Sequence, residues 1–269
     1  MEKKIVGLNT YFKSLEYENF DEYEFSARIS LLDYDAVVIN AEYLITCYST
    51  SYDSSYQNKP CLSDYNSAQI VEDFKKMLRN ALACITERAD EFSKLDAVLG
   101  DGDHGTAIVQ AMTAIVDTAE KGTEFKTMLN DMGFNVMLQI SGSTSTLLGG
   151  FFLGMSDHVE GMELDAIAVK AMFAGGLAGV KKQTKAQRGD KTMMDALIPA
   201  VEAMQSIDSS DIKTILEAGA AAALQGAEAT KNMKANFGRA RNYGERSIGY
   251  ADSGASSWSC MFDAFAKAL

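Results

Sequence analysis

The sequence predicts an all-α body over residues 67–269, joined by a linker at 48–66 to a strand-containing appendage at 1–47. Three observations predict it. Beyond position 67 apolar residues recur at three- and four-residue spacing, and that stretch is rich in Ala, Met and Leu. Residues 1–47 are instead rich in aromatic and β-branched residues, as in Ala36-Val-Val-Ile-Asn40. Between them lies a run dominated by Ser, Tyr, Asp and Asn that holds Pro60, one of only two prolines in the chain.

The first helix is the most regular. Ser67 is placed to cap it, and Ile70, Phe74, Met77, Leu78, Ala81, Ile85 and Phe92 follow on one face. A second helix starts near His104 and carries Ile108, Ala111, Met112 and Ile115. Helical patterns follow at roughly 125–140, 145–157, 163–175, 191–206, 211–235 and 257–268, about eight helices in all. The 14 methionines read as flexible core filling. The small-residue run from Ala218 to Ala223 lets two helices approach closely.

With 47% apolar and 23% charged residues the chain is globular. Its net charge of −12 argues against nucleic acid and anionic membrane as partners, since the nearest basic cluster, Lys181-Lys182 to Arg188, is short. There is no apolar signal region at the start and no run of about 18 apolar residues to span a bilayer, so a cytoplasmic protein is expected. Cys47, Cys61, Cys84 and Cys260 have no metal-ligand spacing and read as core or incidental.

The chemistry concentrates in Leu95-Asp-Ala-Val-Leu-Gly-Asp-Gly-Asp-His-Gly105, between the first two helices. Three carboxylates bunched on a turn repel one another unless a cation lies between them. Mg²⁺ suits such oxygen ligands and keeps places for water or phosphate. Gly100, Gly102 and Gly105 permit the backbone to converge, and the next helix points its N–H groups at the same spot. A plain Asp/Gly turn that caps a helix has the same composition. A calcium loop of the EF-hand type needs a Glu at its twelfth position and another spacing. Two more Gly-rich charged segments, Gly189-Asp-Lys-Thr-Met-Met-Asp-Ala-Leu197 and Gly238-Arg-Ala-Arg-Asn-Tyr-Gly-Glu-Arg-Ser-Ile-Gly-Tyr-Ala-Asp-Ser-Gly-Ala255, sit at helix ends and favour a ligand site.

These three segments, in this order, resemble the L subunit or L domain of dihydroxyacetone kinases over about residues 67–269. The resemblance implies an up-and-down barrel of eight antiparallel helices with nucleotide bound at one end. It implies that Asp96, Asp101 and Asp103 bind two Mg²⁺ ions that clamp the phosphates of ADP or ATP. His104, Gly105, Thr106 and Ala107 would face those phosphates, with Ser143 and Thr144 from the small-residue loop Ser141–Thr146. Met193, Arg239 and the turn Asp252-Ser253-Gly254 would close around adenine and ribose. No catalytic residue falls on this chain, because in the family a histidine of the separate K subunit binds the ketone. Lys191, Glu245 and Arg246 read as loop-holding residues, and His158 as a surface residue.

The sequence departs from the family pattern at Ala107, Ser145-Thr146, Thr184, Arg188 and the Tyr250-Ala-Asp-Ser-Gly254 turn. The expected function is phosphoryl transfer to dihydroxyacetone or a similar short ketose, together with a K-type partner. The donor is either ATP or a phosphotransferase-system protein that rephosphorylates bound ADP. A non-catalytic nucleotide-binding module is the competing reading, and a homodimer is left open. Val6-Gly-Leu-Asn-Thr-Tyr-Phe-Lys-Ser-Leu-Glu16, with Ser30-Leu-Leu-Asp33, resembles the C-terminal edge of the family's K domain; an unrelated strand appendage is the alternative.

Overall fold

The computed structural model describes residues 62–159 and 165–269. The strand-containing appendage, its likeness to a K-domain edge, most of the linker, Cys47 and Cys61 lie outside the described residues. All regular structure among the described residues is helical. The helices are α1 (Leu62–Glu87), α2 (Ala89–Leu99), α3 (His104–Ala119), α4 (Phe125–Gln139), α5 (Ser143–Ser156), α6 (Ala166–Gln183), α7 (Met194–Ser206), α8 (Ile212–Ala229) and α9 (Ser253–Ala268). Two 3₁₀ segments, Thr230–Asn232 and Arg239–Ser247, fill the connection before α9.

The long first helix of the sequence pattern is split at Arg88, yet its ladder continues. Arg88 N–H donates to Cys84 O at 3.2 Å and Phe92 N–H to Arg88 O at 3.1 Å. The helix starts at Leu62, so Ser67 lies in its second turn rather than at its cap. α6 runs eight residues past the predicted end at 175.

From α2 onward each helix packs on the next, and α9 returns to pack on α2. α1 lies along α9, where Asn80 Nδ2 donates to Ala264 O at 2.7 Å and Phe74 sits 6.2 Å from Phe265. Phe151 anchors the interior, with Trp258, Phe152 and Phe173 set edge-on around it at 5.3–6.0 Å. Such pairs add roughly 0.5–1.5 kcal/mol each beyond their buried area.

Three helices meet through glycine. Cβ atoms at Gly133, Gly154 and Gly179 would run into the carbonyl oxygens of Gly149, Gly175 and Gly150, so α4, α5 and α6 touch backbone to backbone. The expected close approach at Ala218–Ala223 is present as well. Ala220 and Ala223 are buried, and Gly226 on the same helix leaves no room for a Cβ against Asp195 O. Pro199 explains that last contact. It has no N–H, so the carbonyl of Asp195, four residues back, is free of the helix ladder and turns to α8.

Candidate functional site

α4, α6 and α8 are capped by acids: Glu124 accepts from Lys126 and Thr127, Asp165 from Ala168, and Asp211 from Thr214. α3 and α5 carry no side-chain cap, although Asp103 stands at the N-cap of α3. Free N–H groups at a helix start attract anions. These two starts, and that of α7, which also has no side-chain cap, open on one cavity of about 460 Å³. Its wall takes in turn the C-terminal end of α2, the start of α3, the end of α4, the start of α5, the end of α6 and the starts of α7 and α9.

Asp96, Asp101 and Asp103 stand at its rim, each with a carboxylate oxygen within 4.8 Å of the others. Gly102, in the left-handed region at φ +78°, folds the turn so that its N–H donates to Asp96 Oδ2 at 2.8 Å. A side chain there would be strained, which is why the carboxylates converge around a glycine. Asp96 also lies 3.5 Å from Ser253 Oγ. Arg239 forms an ion pair with Asp101. The set offers only hard oxygen donors, carries three negative charges against one guanidinium, and leaves the carboxylate of Asp103 uncommitted to its helix. Those features fit Mg²⁺ facing a phosphate ligand.

His104 lines the cavity next to this cluster. Burial lowers its pKa from the usual value, against a raising effect of Asp96, which favours the neutral ring. Opposite, Gly142 at φ +121° begins α5 and turns Ser143 and Thr144 to the cavity wall. Ser145 is buried and its one hydroxyl proton is shared between Ile140 O at 2.6 Å and Gly142 O at 2.9 Å, so the residue that departs from the family pattern holds this loop itself.

The floor is braced by Lys191. It is 1% exposed, has a left-handed φ of +59°, and donates to Thr230 O at 2.6 Å and to Tyr250 O. Asp195 accepts from Gly189 N–H at 2.5 Å and Thr192 N–H at 2.9 Å. Asp252 caps α9 through Ala255 N–H at 2.7 Å. Its carboxyl is pushed up to about 7 by burial, with Asp195 and Asp96 adding to the rise and Ala255 N–H and Lys191 opposing it.

Of the residues singled out from sequence, the cavity brings together Asp96, Asp101, Asp103, His104, Ala107, Ser143, Thr144, Met193, Arg239, Asp252, Ser253 and Gly254. Gly105 and Thr106 do not line it. Gly105 is packed on α2, where a Cβ would strike Ala89 O and Ser93 Oγ. Lys191 is the loop-holding residue expected. Glu245 pairs with Lys234 at 3.3 Å, and Arg246 lies over the Tyr243 ring at 5.7 Å. His158 is exposed. Sequence reasoning missed the apolar wall, Leu95, Leu99, Leu147, Phe237 and Trp258, because helical periodicity marks such residues only as core.

Residues 97–267 match the DAK2 domain family. The chain is 34% identical over 182 residues to the PEP-dependent dihydroxyacetone kinase 1, ADP-binding subunit DhaL, of Listeria innocua serovar 6a, covering 67% of this chain and 87% of that one. It is 33% identical to the PEP-dependent dihydroxyacetone kinase, ADP-binding subunit DhaL, of Escherichia coli K12, covering 65% of this chain and 85% of that one. Among solved structures it is similar to the dihydroxyacetone kinase from C. freundii in complex with AMP-PNP and Mg²⁺. The TM-score is 0.57 with 25% identity, covering 72% of this chain and 33% of that one. The chain thus spans about a third of the solved kinase.

Proposed function

The chain belongs to the DAK2 domain family, and from that premise we propose that it is the nucleotide-binding, phosphoryl-transferring half of a dihydroxyacetone or short-ketose kinase. The observation that carries this reading is the set of three aspartates within 4.8 Å at the rim of a cavity that three uncapped helices open on. Asp96, Asp101 and Asp103 would hold Mg²⁺, as two ions, with ADP or ATP. Bound there, the metal supplies charge neutralisation on the transferring phosphates.

The chain's own groups do the rest. The starts of α3 and α5, with Ser143 and Thr144, receive phosphate oxygens through N–H and hydroxyl donors. Neutral His104 adds a polar ring beside them without a second positive charge. Met193, Arg239 and the Asp252-Ser253-Gly254 turn line the side where base and ribose fit. Leu99, Phe237 and Trp258 exclude water, which strengthens each electrostatic contact.

The closed succession of helices from α2 to α9 supports the up-and-down barrel of eight helices, with α1 extending α2. The domain division at 47 and 66 and the strand appendage are part of the same proposal. A substrate-binding K-type subunit is the expected partner, and relatives named PEP-dependent support a phosphoprotein donor. A homodimer belongs to the proposal only as an arrangement to be tested. No helix among the described residues is long and apolar enough to cross a membrane, which is consistent with a cytoplasmic setting. The relatives are named as kinases, which favours phosphoryl transfer over a non-catalytic module.

The test is calorimetric titration of ADP into the full chain, with Mg²⁺ and then with EDTA, followed by dihydroxyacetone phosphorylation with a K-type subunit. Mg²⁺-dependent binding with turnover is expected. Equal binding in EDTA would remove the aspartates from the site, and binding without turnover would return the non-catalytic module.

A further inference from the structure

Cys84 and Cys260 were unrelated in the sequence, 176 residues apart, and the fold brings them together. Their sulfurs lie 2.9 Å apart, closer than two sulfur atoms rest without an S–H···S contact or a bond. Cys84 sits on α1 and is half-buried; Cys260 sits on α9 and is buried. Both helices hold the pair in place, because Asn80 bonds to Ala264 O one turn on each side and Phe74 meets Phe265 beyond it. On the α8 side, Cys260 and Arg88 help to line a groove of about 630 Å³.

We propose that Cys84 and Cys260 form an oxidisable dithiol, a covalent modification site that takes a small-molecule disulfide and closes into a bond between α1 and α9. Cys84, the more exposed sulfur, attacks as thiolate on one sulfur of the disulfide RS–SR. That S–S bond breaks, one RS⁻ leaves, and Cys84 carries a mixed disulfide. Cys260, already in contact, gives up its proton and attacks the Cys84 sulfur; the second RS⁻ leaves as the protein disulfide forms. Two protein thiols are oxidised, one disulfide is reduced to two thiols, and the two protons end on the released thiolates.

Burial beside Cys84 pushes the Cys260 thiol up, while the Arg88 guanidinium opposes the rise. Closure therefore depends on contact rather than on an acidic thiol. The bond would pin α9 one turn beyond Ser257, the residue that meets His104 at the nucleotide cavity. This inference stands independently of the kinase reading.

The test uses the full chain with Cys47→Ser and Cys61→Ser, so that only this pair remains. Native protein is incubated with glutathione disulfide and examined by intact mass and peptide mapping. The expected product has lost two hydrogens, carries a Cys84–Cys260 link, and melts about 5–10 °C higher, reversibly with dithiothreitol. The same protein with Cys84→Ser should show neither the link nor the shift. A stable glutathione adduct without closure, unreacted thiols, or a link that forms only in denaturant would each overturn the proposal.

Discussion

His104 Nε2 lies 2.8 Å from Ser257 Oγ, and that hydroxyl donates in turn to Gly254 O at 3.0 Å. The serine's single proton is spent on the carbonyl, so Ser257 accepts from the ring, Nε2 carries the hydrogen, and Nδ1 keeps its lone pair. A hydroxyl one turn into α9 thus sets the tautomer of a ring on α3. Ser257→Ala should shift the Nε2–H population seen by nitrogen NMR and weaken Mg·ADP binding roughly fivefold, the worth of about one hydrogen bond. An unchanged tautomer would show that the ring is set by something else.

Removing Asp101 separates metal from nucleotide. Asp101→Asn should lower Mg²⁺-dependent ADP affinity by at least about tenfold and leave the melting temperature in EDTA within a few degrees. Arg239→Gln frees Asp101 from its ion pair. Without nucleotide, Mn²⁺ read by electron spin resonance should bind this variant more tightly than the wild type, and with ADP less tightly.

The Lys191 strut is testable by Lys191→Met, which keeps the length and removes the charge. Two carbonyls, of Thr230 and Tyr250, then lose a buried donor. The expected loss is about 2–4 kcal/mol in denaturant unfolding, with ADP binding lost as well. A variant as stable as the wild type would show that water satisfies both carbonyls.

Asp252 sets a pH dependence. Its folded pKa of about 7 stands above the unfolded value near 3.9, so between those values the folded state holds a proton that the unfolded chain has released. Stability from this group is fully present below about pH 4 and is lost as pH rises toward 7, by about 1 kcal/mol per pH unit or less. Asp252→Asn cannot titrate. In EDTA, the unfolding free energy of wild type minus variant should fall between about pH 4.5 and 7; a flat difference would place the carboxyl in an ordinary environment.

Gly226→Ala forces a Cβ against the carbonyl freed by Pro199. It should destabilise the protein by about 3 kcal/mol, measured by urea unfolding. Pairing it with Pro199→Ala should recover part of that loss, because Asp195 O can then return to its helix.

The helical class and the order of elements were legible because amphipathic spacing runs through the described chain, from Phe74 to Phe265. The aspartate cluster was legible because its members are close in sequence. The break at Arg88 was not, since the apolar face continues across it. The Cys84–Cys260 contact and the His104–Ser257 bond were not, because 176 and 153 residues separate their partners and only packing joins them. That Gly105 packs on α2 rather than lining the cavity was not legible for a related reason. A glycine beside a ligand motif and a glycine where two helices touch look alike until the neighbour is known.

The glycine contacts among α4, α5 and α6 bear on how the molecule responds to its ligand. Main chains that touch directly have no side-chain rotamers between them to absorb a shift. That side of the protein is expected to act as an anvil, with slow amide exchange as the measurement that checks it. If nucleotide binds as proposed, rearrangement is expected to fall on the segments around Gly189 and Arg239, with the start of α5 as the fixed jaw.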